Sequence, residues 1–232
     1  MSRANAWCFG CNIPAEVAPG EQERRCGGIG CNGRVRRVAN QAALEIGLLA
    51  HRMAQGHYVH SAALAVASHQ NATTLSPLQK PDDSMPVGRV ARKDGSVHVY
   101  DFNYYLGLAR TDPLVARDLD RTWISGAYLV VGDALERHGY FDRAPELELI
   151  RHIRNGIAHG NRFEIRDPSR LARFPAHNRF AHVRSGRPLE IVPSLNGCEV
   201  LFSFAAPGDL LDLLISTEVY LKRMGVGDRL RD

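Results

Sequence analysis

Between Pro145 and Gly160 the apolar residues Leu149, Ile150, Ile153 and Ile157 recur at three- and four-residue spacing, which an α-helix turns into one continuous stripe. Asp142 and Pro145 mark its start, since Pro suits a first helical turn, and Gly160 its end, since Gly readily takes the left-handed conformation that closes a last one. Such a stripe must lie on other elements, and the sequence supplies them. Residues 36 to 70 are rich in Ala and Leu and read as two helices broken at Gly56. Asp112 as cap and Pro113 in the first turn open another helix, with Leu119, Trp123, Val130 and Leu135 on its apolar face. "PGDLLDLLISTEVYLKRMG" closes the chain with an amphipathic helix. The expected class is therefore mainly α, and 232 residues at 44% hydrophobic suffice to bury one core plus a small appendage.

Three stretches interrupt the helical pattern. "TTLSPLQKPDDSMPVGRVARKDGS" concentrates Pro, Asp, Ser and Gly without periodicity and reads as a long loop. "VHVYDFNYYLGLAR" gathers Tyr100, Phe102, Tyr104 and Tyr105; such clusters stack bases in some proteins but more often belong to a core. "PLEIVPSLNGCEVLFSF" places two apolar runs around Asn196-Gly197, the best hairpin signal in the chain, with Cys198 as a small buried residue of its strand. The expected divisions are an N-terminal segment 1–35, a helical hairpin 36–75 packed on the bundle, a linker 76–97 and a helical domain 98–226.

Four of the five cysteines, Cys8, Cys11, Cys26 and Cys31, crowd into the first segment as "CFGC" and "CGGIGC". Two short Cys loops can each give a pair of ligands to a tetrahedral ion, so a closed structural zinc site is expected, a zinc ribbon whose second loop is two residues longer than usual. Two disulfides or a redox Cys-x-x-Cys pair are the competing uses of the same residues. A segment so short and Gly-rich has little else to hold it together. The chain carries no apolar run long enough for a membrane span and no leader pattern, so a cytoplasmic protein is expected.

The polar side of the helix ending at Gly160 is harder to explain as structure alone. Arg151, Asn155 and His159 fall on one line, Arg154 borders the apolar stripe, and Gly156 in a helix interior costs about 1 kcal/mol relative to Ala. The Gly therefore points to a close approach or a bend. From Arg151 to Arg187 there are nine arginines against only Glu164 and Asp167, about +7, although the whole chain is only +4. That concentration favours a polyanionic partner. Composition is the competing reading, since 26 of the 29 basic residues are Arg and a GC-rich genome alone produces such a bias.

"RNGIAH", Arg154 to His159, resembles the R-x-x-x-x-H motif of the HEPN superfamily, in which a polar residue, here Asn155, commonly follows the Arg. The resemblance spans about Tyr100 to Gly160 and implies a HEPN-type helical bundle, here with a small β-hairpin insertion and the zinc ribbon in front. It also implies a metal-independent endoribonuclease of toxin or defence type, acting as a homodimer whose two motifs face one cleft, with an antitoxin protein as a further partner. The residue chemistry agrees. Histidine can move protons near neutral pH and arginine can hold charge on a phosphate, so Arg154, Asn155 and His159 are the candidate catalytic set. Arg151, His152, Arg162, His177 and Arg179 are candidate RNA contacts. Two readings stay open beside this one. In the first, a non-catalytic module binds RNA, a nucleotide or a partner protein. In the second, the ribbon reads nucleic acid and the helices dimerise.

Overall fold

In the computed structural model the described residues are 4–8, 11, 13–17, 23–27, 29, 31, 34–72, 87–183 and 187–227. Among them the chain is mainly helical. The strands are β1 (Ala4–Cys8), β2 (Ile13–Val17), β3 (Glu23–Arg25), β4 (Arg34–Arg37), β5 (Val87–Ala91) and β6 (Val97–Asp101). The helices are α1 (Gln41–Ala67), α2 (Phe102–Thr111), α3 (Pro113–Arg137), α4 (Pro145–Ala158), α5 (Pro168–Arg173) and α6 (Pro207–Gly225). Among the described residues no helix is long and apolar enough to cross a membrane. The chain divides into two compact units, Met1–Ala54 with Ile124–Asp232, and Gln55–Trp123.

The first unit carries the core. Its N-terminal strands form an antiparallel sheet in the order β2-β1-β4-β3. Among its described side chains Ala6, Trp7 and Cys8 are buried. The helical part is different. Leu147, Leu149, Ile150 and Ile153 of α4 are fully buried against Tyr128, Val131 and Leu135 of α3, Leu210, Leu213, Leu214 and Leu221 of α6, and Ala43 and Ala50 of α1. α4 is more enclosed than an amphipathic stripe requires: Glu146 and Glu148, on its polar side, are buried as well. It is the central helix of this unit.

Helix ends follow the chemistry of their residues. Asn40 Oδ1 accepts the Ala43 amide at the start of α1, Asp112 Oδ1 accepts that of Leu114 as α3 begins, and Asp209 Oδ2 accepts that of Ala206 at α6. α4 ends where expected. Gly160 and Asn161 both have positive φ, +77° and +63°, and the Arg162 amide returns to the Gly156 carbonyl at 3.0 Å.

Several expectations are corrected. α1 runs unbroken through Gly56, and the glycine is instead the place where the Trp123 ring comes to 2.3 Å from an added Cβ. The buried face of α3 is Ile124, Ala127, Tyr128, Val131, Gly132 and Leu135, whereas Leu119 and Val130 are exposed. The small β-hairpin is present, but it is β5–β6, whose first strand and turn lie in the stretch read as linker and whose second strand lies almost wholly in the expected helical domain; the rest of that linker, residues 76–86, lies outside the described residues. No hairpin forms at Asn196-Gly197. A type I′ turn needs positive φ at both central residues, and Asn196 has φ −56°. The Gly197 amide donates to the Phe163 carbonyl and the Phe163 amide to that of Cys198, so this segment bonds to the chain leaving α4 and leaves Cys198 exposed.

The second unit holds residues 55–67 of α1, the β5–β6 hairpin, α2 and residues 113–123 of α3. His57 links its two long helices, facing Asp120 Oδ1 at 3.2 Å through Nε2 and Ser61 Oγ at 3.2 Å through Nδ1. The tyrosines expected in a core are exposed here: α2 has no buried residue, and Tyr104 and Tyr105 meet edge to face at 5.1 Å in solvent.

Gly156 is where a direct test falls. An added Cβ would lie 2.5 Å from Val200 Cγ2 and 3.2 Å from the Arg162 carbonyl oxygen, and Val200 is fully buried and β-branched, so it cannot move aside. Gly156→Ala should therefore destabilise by about 1–3 kcal/mol despite the better helix propensity of Ala, and thermal unfolding measures it.

Candidate functional site

The last two turns of α4 carry the motif residues, and packing against α3 decides how each is presented. Arg154 leaves α4 over Gly132 of α3, where an added Cβ would sit 2.6 Å from the Arg154 Cγ; only a glycine there lets the arginine stem lie flat. The guanidinium then reaches Asp133 through both Nε, at 3.0 Å, and Nη2, and its Nη2 lies 3.2 Å from Glu136 Oε2. Nη1 donates to Asn155 Oδ1 at 2.9 Å. Asp133 and Glu136 are half-exposed, so these pairs fix orientation more than they stabilise, at about 1 kcal/mol or less each. His159 is the C-terminal cap of α4, outside helical geometry at φ −101° and ψ 42°, and its side chain is exposed. The structure thus gives an oriented arginine bonded to Asn155 and, four residues after the asparagine, a solvent-facing imidazole.

The other expected contacts are less free. Glu148, 1% exposed, is held by Arg151 through Nε at 2.8 Å and through Nη2, with Arg170 Nε at 3.6 Å and His152 Nε2 at 3.8 Å. His152 is pushed down to about 4, first by burial and then by Arg151 and Arg170 beside it, so it is a neutral ring at physiological pH. His177 is buried and its pKa is lowered, again by burial first and then by Arg179. Arg179 pairs with Glu190, and Arg162 donates to the Gly197 carbonyl at 2.7 Å and faces Glu199 at 4.0 Å. Of the nine arginines between 151 and 187, Arg151, Arg154, Arg162, Arg166, Arg170 and Arg179 each have a carboxylate within ion-pair distance. The excess of +7 along the chain is largely neutralised in space.

Asp133, Glu136, Glu148 and Asp142 were not legible as parts of this site. Asp133 and Glu136 share a helix face at i and i+3, but nothing in their own segment tells that Arg154 will meet them.

The four N-terminal cysteines do come together. Their sulfurs all lie within 4.8 Å of one another, with Cys8 to Cys31 at 3.5 Å and Cys11 to Cys26 at 3.7 Å. Those separations are far from a disulfide bond of about 2.05 Å. They are near the roughly 3.8 Å edge of a tetrahedron whose metal–sulfur bonds are about 2.3 Å. The crowding pushes the Cys11 thiol up to about 12, chiefly through Cys8, then by burial, and by Cys26 and Cys31. Four thiolates cannot share this space without a cation, and a metal ion reverses the effect by favouring the ionised sulfurs. The cluster could therefore hold a metal ion and tie β1, the turn after it and the chain before β4 into one unit.

No protein-family model, no curated protein and no solved structure matches this chain.

Two measurements follow. Metal analysis of the purified protein should find about one ion per chain, and Cys26→Ser should lower both the metal content and the unfolding temperature. The second concerns pH. Glu146 is buried with Oε1 lacking a hydrogen-bond partner, and burial raises its carboxyl from 4.5 to about 8. A raised folded pKa means stability that is full below 4.5 and lost as pH rises through about 8. For His152, lowered from 6.5 to about 4, the contribution is full above 6.5 and lost as pH falls through about 4. Thermal unfolding across this range should show both losses, and Glu146→Gln should remove the alkaline one while leaving the acid one.

Proposed function

We propose that the chain is a metal-independent endoribonuclease of HEPN type, of the toxin or defence class, with Arg154, Asn155 and His159 as its working residues. The observation that carries this reading is the orientation of Arg154. Gly132 makes room for its stem, Asp133 and Glu136 aim its guanidinium, and Asn155 is bonded to it, while His159 stands exposed at the end of the same helix. Preorganised donors of this kind stabilise developing charge, because they need not reorient during reaction.

In the reaction His159 takes the proton of a ribose 2′-OH, or returns one to the leaving 5′-oxygen. The 2′-oxygen forms a bond to phosphorus as the bond to the 5′-oxygen breaks, giving a 2′,3′-cyclic phosphate and a 5′-hydroxyl end. Arg154 holds the charge that builds on the phosphate oxygens. One histidine cannot be acid and base at once, so a homodimer contributing two motifs to one cleft completes the set. The ion proposed for Cys8, Cys11, Cys26 and Cys31 is zinc, as a structural centre: four protein ligands leave it no open position for catalysis.

A second reading has its own support. The guanidinium of Arg154 is already engaged by two carboxylates and an amide, which suits a strut between α3 and α4 in a module that binds RNA, a nucleotide or a partner protein without cleaving. His159 separates the two. His159→Ala should leave unfolding unchanged, since the side chain is exposed, and should lower cleavage of mixed RNA about a hundredfold or more, with 2′,3′-cyclic phosphate ends in the wild-type products and no action on DNA. Wild-type cleavage by folded His159→Ala removes the catalytic assignment, and RNA binding without cleavage by the wild type establishes the second reading.

A further inference from the structure

The unit of residues 55–123 departs from the usual relation between hydrophobicity and burial. Of the fourteen large hydrophobic side chains that are exposed among the described residues, ten lie in it: Tyr58, Val59, Val66, Val90, Val97, Val99, Tyr104, Tyr105, Leu114 and Leu119. None of its described residues belongs to the main hydrophobic core, and its buried apolar side chains reduce to Ala72. α1 and α3 show the change within single helices. α1 buries Ala43, Leu44, Ile46, Ala50 and Ala54, and beyond them only His57; α3 buries nothing before Ile124 and six residues from Ile124 onward. Residues 55–67 of α1 thus continue for about 20 Å with His57 and His60 turned to Asp120 and Trp123 of α3, while Tyr58, Val59 and Val66 stand in solvent.

The hairpin repeats the pattern. Arg89, Ala91, Val97 and Val99 share one face of β5–β6, and Gly88, Val90, His98 and Tyr100 the other; valines on both faces are exposed. A two-stranded sheet is at best marginally stable in water unless something covers a face. Exposed apolar surface on this scale marks an interaction site.

We propose that this unit is the homodimerisation surface of the protein, its exposed Tyr and Val faces being covered by the same unit of a second copy. Two features favour a second copy over other occupants. The described residues 87–123 carry six basic side chains, Arg89, Arg92, Lys93, Arg110, Arg117 and Arg121, and five acidic ones, Asp94, Asp101, Asp112, Asp118 and Asp120. A nearly neutral, mixed surface can meet itself without repulsion and offers little attraction to a polyanion. Further, a unit without a core of its own needs cover whenever the chain is folded, and a second copy is the partner always present in equal amount. Tyrosines at 5.1 and 5.6 Å edge-to-face spacing, Tyr104 on Tyr105 and Tyr105 on Tyr100, give the rigid aromatic contacts that dominate interface cores. The inference rests on exposure and charge and takes from the proposed function only that the chain is a homodimer; a dimer that forms elsewhere overturns it and leaves that reading intact.

The test uses the full chain. Sedimentation of the wild type over roughly a hundredfold range of concentration should show a monomer–dimer equilibrium. Val99→Glu and Tyr105→Glu, both at positions exposed in the single chain and therefore compatible with its folding, should each raise the dissociation constant about a hundredfold or more. Hydrogen exchange of the wild type supplies a readout without mutation: residues 55–67 and 97–119 should be protected when concentrated and lose that protection on dilution. A wild type that stays monomeric throughout overturns the proposal. So does a dimer that persists in both folded variants, or one in which these residues exchange equally fast at every concentration. A monomer whose RNA affinity falls in Tyr104→Ala and Tyr105→Ala would overturn it in favour of a base-stacking surface.

Discussion

Everything around the candidate site depends on the burial of α4. Leu147, Leu149, Ile150 and Ile153 leave no freedom in how the helix rotates, because turning it would bring one of them to the surface and put a charged residue in its place. With rotation set, the polar residues between them must find partners where they fall. Glu148 finds Arg151 and Arg154 finds Asp133, whereas Glu146, whose Oε1 has no hydrogen-bond partner among the described residues, has its carboxyl raised by burial. The reactive-looking groups at the end of α4 are thus arranged by the hydrophobic groups at its start. The same enclosure makes Gly132 and Gly156 necessary, one under an arginine stem and the other under Val200.

The electrostatics show how far a linear reading of charge can mislead. Nine arginines in a run of residues suggest a cationic surface, but six of them, among the described residues, find carboxylates. Five of those acids, Asp133, Glu136, Asp142, Glu190 and Glu199, are remote in sequence or belong to a different local segment from their arginine. The result is a surface of crosslinks between loops and helices rather than a uniform field. An anion arriving at this face meets individual guanidiniums already hydrogen-bonded, and its recognition depends on geometry more than on attraction at a distance.

Local signals were legible and long-range ones were not. The helical spacing of Leu149, Ile150 and Ile153, the cap at Asp112, and the left-handed end at Gly160 depend on residues a few positions apart, and they hold in the structure. The convergence of Cys8, Cys11, Cys26 and Cys31 was legible because four thiols in a short Gly-rich segment have few other uses. What could not be read was decided by tertiary contact. Gly56 looks like a break only until the Trp123 ring is seen against it. Asn196-Gly197 looks like a hairpin turn, but Phe163 supplies its hydrogen bonds. The tyrosines of α2 have the composition of a core and the exposure of a surface, and composition cannot distinguish a core within one chain from one shared between two.

The turn after α4 has a further consequence for how such a chain can vary. Gly160 and Asn161 are two successive left-handed residues, a conformation that β-branched and bulky residues enter only with strain. Asn161 is bound there on both sides, its Oδ1 accepting the Leu201 amide at 2.8 Å and its carbonyl that of Val200 at 3.0 Å. Drift at these two positions is therefore confined to a very small alphabet, even though neither residue contacts anything reactive. A population of random variants should consequently lose sequence diversity at 160 and 161 as sharply as at the motif, for reasons of backbone handedness. Purifying selection on this stretch, taken alone, would be a poor guide to which of its residues do chemistry.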